Sequence, residues 1–363
     1  MTFRLTTLMY LFALVAASLA FLGAPGLLLA VGVIMVWAVL LPEPDPIYTK
    51  LVAIGGVLLI FATLMIPAVL TANANALRLD CLGHLEQLQY GIQNVEEVKG
   101  YLPLAAQPRG VNGDLQSWRV TVLPFIENTF GFLTNFSVDE PWNGPNNARY
   151  LAKVSPWYLA ECPAHRQSPA TDYFAITGPQ TAWGDGDTRT YDDVTDGLSN
   201  TILLIEASGR GVHWAEPKDL SFDEAVDLLS TPIPADDSEG HLAVRGYFVK
   251  PSYVRNVAMC EGRARSLHVP IPREDAIALL TASGGESVDT GLVERYSTPQ
   301  LDYARVWAFS VFMVLAMLPA FPRLRPWIWP MGAGERSSGD QSEPSESEFS
   351  GKTASSSPDK TDS

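Results

Sequence analysis

Three long apolar stretches without a charged side chain crowd the first 70 residues, and a fourth follows residue 305. The first, LTTLMYLFALVAASLAFL, begins at Leu5. The second, LLLAVGVIMVWAVLL, follows the turn GAPG, and the third, LVAIGGVLLIFATLMIPAVL, runs from Leu51 to Leu70. A helix needs about 20 apolar residues, ~17 at the least, to cross the hydrocarbon layer. The first and third stretches meet that length, and the second is short unless it borrows from the turn before it. The fourth, VWAFSVFMVLAMLPAF from Val306, is also short but ends in PRLRPWIWP, where Trp327 and Trp329 suit a membrane-interface belt. Four transmembrane helices are therefore expected, at about 5–22, 25–41, 51–70 and 304–330, with a water-exposed domain at 71–303.

Basic residues beside the spans set the orientation. Arg4, Lys50, Arg323 and Arg325 all fall on one side of a four-span chain, and that side is cytoplasmic. The expectation is a protein integral to the inner (cytoplasmic) membrane, with the lipid bilayer as its first partner and its main domain extracytoplasmic. A rival reading takes MTFRLTTLMYLFALVAASLA as a cleaved signal peptide, with its basic start and small residues from Ala17 to Ala20. Apolar residues continue almost directly past that point, which favours a retained span.

The net charge of −15 and the lack of a basic stripe exclude nucleic acid as an expected partner. Residues 331–363, which hold seven of the 40 acidic residues, form a Ser-rich stretch with almost no apolar side chains, expected to be a disordered cytoplasmic tail.

Beyond Thr71 the helical pattern continues. Leu79, Leu82, Leu85, Leu88, Ile92 and Val95 recur every three or four residues with polar residues between, and Gly100 stops the pattern. One helix is expected, its first half in the membrane and its second half packed on the domain. Past Gly100 the chain reads as short strands: SWRVTVLPFIEN, TDYFAIT, NTILLIEAS, GYFVK, RNVAMCEG and ARSLHV, separated by Gly, Pro, Asn and Asp. Two helices interrupt them, SFDEAVDLL with Ser221 and Glu224 in capping-box spacing, and PREDAIALLTASGG with Pro272 at its start. The absence of a βαβ alternation argues for an α+β fold with an antiparallel sheet.

A membrane helix that continues into a soluble helix and then an antiparallel sheet is the plan of type IV pilins and pseudopilins. The motifs RLDCLGHLEQLQYGIQNVEEVKGYLP, SWRVTVLPFIEN, DEPWNGPNN, TDYFAITGP, DVTDGLSNTILLIEAS, AEPKDLSFDEA, NVAMCEGRARSL and ALLTASGGE stand in one order. Over residues 66–286 they resemble the prepilin-like domain of unknown function 1559, also labelled solute-binding protein family 10 and abundant in planctomycetes. Two features depart from it. The third apolar stretch comes after PDPIYTK rather than the family's cleavage signal, and Met259, Cys260, Glu261 and Gly262 replace its Ala-Asp-Gly-Ser turn before a further span. The resemblance thus implies a membrane-anchored variant that has exchanged fibre assembly for permanent anchoring. It also implies that Trp142 packs on the long helix, and it marks Trp118, Pro124, Asp139, Trp142, Asp196, Gly197 and Asn200 as structural positions.

The cysteines Cys81, Cys162 and Cys260 have no metal spacing. An extracytoplasmic domain permits a disulfide; Cys81, on a helix, and Cys162, on a tethered loop, are the expected pair, leaving Cys260 a buried free thiol. In DEPWNGPNN, Asp139 and Glu140 are adjacent and point to opposite faces of an extended chain, so a turn tied by Asp139 and Asn143 is favoured over acid–base chemistry. Asp185, Asp187, Asp192 and Asp193 offer the hard oxygens that suit calcium, although Arg189 and Thr190 break the EF-hand order and an acidic loop ending in the Asp196–Gly197 turn is the simpler reading. The five histidines do not cluster, and no nucleophile elbow or phosphate loop is present. The expectation is a non-catalytic structural or binding module of the cell envelope that contacts envelope proteins or glycans and needs no cofactor. The alternatives are a calcium-dependent or small-solute binder, and an envelope enzyme acting on glycan or peptide through Asp139, Glu206 and Glu216.

Overall fold

A computed structural model describes residues 5–40, 47–109, 114–126, 135–137, 139–151, 170–233, 241–243, 246–285 and 291–328. Cys162, His165, Trp329 and the acidic tail lie outside them. The chain opens with α1 (Leu5–Leu22) and α2 (Gly26–Leu40), joined by a turn in which Gly23 has a left-handed φ of 67°. α3 (Tyr48–Lys99) is one helix of 52 residues, about 78 Å long at 1.5 Å per residue. It ends where Gly100 turns left-handed and its N–H caps Glu96 O.

The domain adds the hairpin β1 (Ala106–Arg109) and β2 (Asp114–Ser117), then α4 (Trp118–Val122) and α5 (Pro145–Leu151). Next come β3 (Tyr173–Thr177), β4 (Ile202–Glu206), β5 (Leu220–Ser221) and α6 (Phe222–Ser230). The chain closes with β6 (His241–Ala243), β7 (Ser252–Met259), β8 (Ala264–His268), α7 (Arg273–Leu280), α8 (Leu292–Ser297), α9 (Tyr303–Met317) and the short α10 (Arg325–Ile328).

The fold is mixed α+β, with a six-stranded sheet at its centre. β5 pairs parallel with β3, and the other pairs are antiparallel. Val254 pairs with both His241 and His268, and Val257 with both Ile205 and Arg265. Hence β4 and β6 share one edge of β7 and β8 takes the other. Strand alternation sends Tyr173, Ala175 and Ala258 to one face, where they bury Leu85, Leu88, Ile92 and Val95 of α3. Phe174, Ile176, Val257 and Met259 go to the other face and pack on α6, α7 and α8. A register shift between Ile202 and Leu204 lets Leu203 and Leu204 both join the α3 side, the signature of a bulge.

Two expected strands are not strands. SWRVTVLPFIEN forms α4 and a 3-10 turn at Leu123–Phe125. Ser117 caps it through Arg119 N, and Trp118–Leu123 are all buried, so the β-like pattern reflected burial on every side. α4 can lie against α3 because residue 91 is glycine, where a Cβ would fall 2.4 Å from Val122. GYFVK is not a strand either; it makes one isolated bridge, Val249 to Leu301, and packs on the apolar helices.

Three helical segments are long and apolar enough to cross a membrane, Leu5–Leu22, part of Lys50–Lys99 and Tyr303–Ala320, while α2 is shorter at 15 residues. α1 and α9 run antiparallel, since Thr6 Oγ1 donates to Trp327 O at one end and Phe21 meets Phe309 at 4.9 Å toward the other. α2 and α3 cross through glycines, where a Cβ on Gly56 would fall 2.9 Å from Gly32 O, the close approach typical of helices in lipid. The domain therefore sits at one end of the helix group, with the end of α2, the start of α3 and α10 at the other. Leu58, Phe61 and Ile66 of α3 remain about 60% exposed.

Ile92→Ala should destabilise the detergent-solubilised full chain by ~2–5 kcal/mol, whereas Tyr90→Ala, on the exposed face of the same helix, should stay within ~0.5 kcal/mol. Urea unfolding followed by Trp fluorescence reads both.

Candidate functional site

Where α3 meets the sheet, one turn past its apolar half, polar side chains replace the apolar stripe. Arg78, Cys81 and His84 are spaced by three residues, share one face of the helix and are buried. Opposite them lie Tyr173 on β3, Glu206 on β4, His241 on β6, and Asn256 and Ser266 on β7 and β8, also buried. His241 Nε2 donates to Glu206 Oε1 at 2.9 Å and Asn256 Nδ2 donates to Glu206 Oε2 at 2.7 Å. Ser266 Oγ donates to Asn256 Oδ1 and accepts from Arg78 Nη1, both at 2.6 Å. Arg255 Nη1 reaches Glu206 O at 3.0 Å, and His84 Nδ1 lies 3.1 Å from the Tyr173 hydroxyl. Burial, then the carboxylates of Glu206, Asp172 and Asp80, push the Tyr173 hydroxyl well above its ordinary range, so it stays protonated.

Cys81, Glu206 and His241 place a sulfur, an oxygen and a nitrogen within 4.8 Å of one another, a donor set that suits zinc when the sulfur is a thiolate. Both oxygens of Glu206 already accept hydrogen bonds. The arrangement therefore reads as a closed polar lock between helix and sheet. Cys162 lies outside the described residues, and with it the expected Cys81 pairing. Cys260 is a buried free thiol, kept protonated by its burial.

A second buried centre lies under α4. Arg119 Nη2 meets Asp219 Oδ1 at 2.7 Å, with both side chains almost fully buried. The guanidinium also donates twice to Tyr173 O and once to Ser117 Oγ, while Asp219 Oδ1 accepts from Trp118 Nε1 and Ala175 N. Burial pushes the Asp219 carboxyl up and the Arg119 guanidinium down, and each pulls the other back toward its charged form. Arg119 and Asp219 stand inside the motifs SWRVTVLPFIEN and AEPKDLSFDEA, yet nothing in their spacing shows that they meet. Trp118 is fully buried, and Pro124 sits in the 3-10 turn after α4.

The DEPWNGPNN stretch is a turn whose ties differ from those expected. Asp139 is exposed. Glu140, not Asp139, caps α5, since Asn147 N and Asn146 Nδ2 both donate to its carboxylate. Asn147, not Asn143, closes the loop, donating to Ser137 O, Glu140 O and Pro141 O and accepting from Ser137 N. Trp142 is half-buried, stacks on His213 at 5.0 Å and packs against the core cluster to which α3 contributes.

The acidic loop is spread over several tasks. Asp187 pairs with Arg189 and accepts from Asp185 N, Asp193 closes a capping box with Thr190, and Asp185 and Asp192 are exposed. Asp196 accepts from Gly284 N and Gly285 N, and Asn200 Nδ2 donates to Asp196 O across the turn at Gly197, whose φ is 103°. Asp139, Glu206 and Glu216 stand in separate settings, with Glu206 inside the polar lock and Glu216 accepting from His213 N.

Asp219→Ala should cost ~3–5 kcal/mol by stranding a buried guanidinium, and pairing it with Arg119→Met should recover most of the loss in thermal unfolding. Burial lowers the pKa of His213 below its ordinary 6.5. The unfolded chain then binds the proton first, so stability falls as pH drops below about 6.5 and levels off below the folded value. The urea midpoint of wild type should show this decline, and His213→Gln should flatten it.

The fold and its polar centres can be set against known proteins. No curated protein and no solved structure matches the chain. Residues 71–192, from the apolar half of α3 to the acidic loop, match the family model SBP_bac_10, described as a protein of unknown function (DUF1559), and this match supports that domain family for the first part of the expected span.

Proposed function

We propose that the chain is a membrane-anchored module of the cell envelope whose domain lies outside the cytoplasm and makes non-catalytic contact with envelope proteins or glycans. The observation that carries this reading is α3. A single helix exposes Leu58, Phe61 and Ile66 in its first half and buries Leu85, Leu88, Ile92 and Val95 in its second. A lipid-facing segment thus passes directly into the core of a folded domain. Lys50 and Arg325 belong to the end of the helix group remote from the domain, which favours a cytoplasmic location for that end. The pilin-like reading draws support from a long helix packed on an antiparallel sheet, with helices on the second face as an addition. A Cys81–Cys162 disulfide fits the same compartment.

Single exposed cysteines test the orientation. In spheroplasts, Asp223→Cys on the domain should react with a membrane-impermeant maleimide, and Lys50→Cys should react only after lysis. The reverse pattern would place the domain in the cytoplasm, and release of the chain by alkaline carbonate would remove the membrane anchor altogether.

A further inference from the structure

Pro67 lies inside α3, in its apolar half. It has no N–H to give Thr63 O, and its ring crowds the preceding turn, so a bend or an opened carbonyl is the usual result. In lipid such a site is tolerated when side chains or neighbouring segments satisfy the freed groups. The Tyr247 hydroxyl, from a segment 183 residues away, donates to Leu64 O, in the turn that the Pro67 ring crowds, and the Thr63 hydroxyl donates to Leu59 O at 2.7 Å, one turn earlier.

Tyr247 belongs to the GYFVK stretch that fails to become a strand. Its ring and that of Phe248 close an aromatic group with Phe21 of α1 and Phe309 of α9, at centroid distances of 5.2–5.9 Å for the three contacts involving them. Backbone bonds hold the same segment to the start of α9, with Lys250 N donating to Gln300 O and Asp302 N to Phe248 O. β7 begins at Ser252, so this segment leads straight into the strand that pairs with three others. A single short stretch therefore touches α1, α3 and α9 while joined to the sheet.

We infer that Gly246–Lys250 is a clasp that holds α3 in its course at Pro67 and thereby fixes the tilt of the domain over the bilayer. With the clasp seated, the weak turn of α3 is supplied with a donor and the domain and helices move as one body. With it released, Pro67 becomes the hinge.

Hydrogen exchange on the full chain in lipid nanodiscs tests this through Tyr247→Phe, which keeps the ring and removes the donor. Exchange in peptides covering residues 64–75 should rise about tenfold, the effect of losing roughly one hydrogen bond, while peptides covering 85–95 stay unchanged. Introducing Pro67→Ala into the Tyr247→Phe chain should abolish the rise, because the restored helix no longer needs the donor. The inference is overturned by unchanged exchange in Tyr247→Phe, by a rise that extends equally into 85–95, or by a rise that persists with Pro67→Ala.

Discussion

The architecture depends on the obligation of every backbone N–H and C=O to find a partner. In hydrocarbon that requirement leaves a helix as the one way for a single strand of chain to pass, and the apolar half of α3 is long enough for that role. The same helix continues to Lys99, so the domain is built on a rod whose direction is set by its apolar half. The sheet then has to present a face matched to that rod. Gly91 admits α4, and the shift at Leu203 adds one more apolar side chain to the matched face.

The polar lock is a costly way to join helix and sheet. Buried ionic groups repay their desolvation only when each donor and acceptor is engaged, and apolar residues of similar size would hold the elements together as well. What the lock adds is register. Arg78, Cys81 and His84 meet particular partners on four strands, and a one-residue slip of the helix would bury unmatched charge. Arg119 and Asp219 do the same for α4, tying it to Tyr173 and Ala175 of β3.

Much of this was legible in the sequence where local patterns repeat. The apolar runs, the 3.6-residue stripe from Leu79 to Val95, the stop at Gly100 and the Ser221–Glu224 box are short-range signals, and their elements stand close to where the patterns put them. SWRVTVLPFIEN misled because a helix buried all round carries no stripe to distinguish it from a strand. GYFVK misled because its aromatic residues pack on the apolar helices instead of on a sheet. The polar lock was invisible for a different reason: its members lie as far apart as Arg78 and Ser266, and no spacing rule joins residues that meet through the fold. Asp139 shows a milder form, in which the turn was recognisable but the residues tying it were not.

If the helix group is embedded as proposed, the pairing of α1 with α9 has a consequence for release from the membrane. The domain is held at both of its chain ends, by α3 on entry and α9 on exit, and those helices belong to one packed group. A single proteolytic cut within the domain would leave both fragments embedded, still joined by the sheet. Shedding of the domain into solution requires two cuts, one on each side, so this anchor resists the single cleavage that frees a domain carried on one stalk.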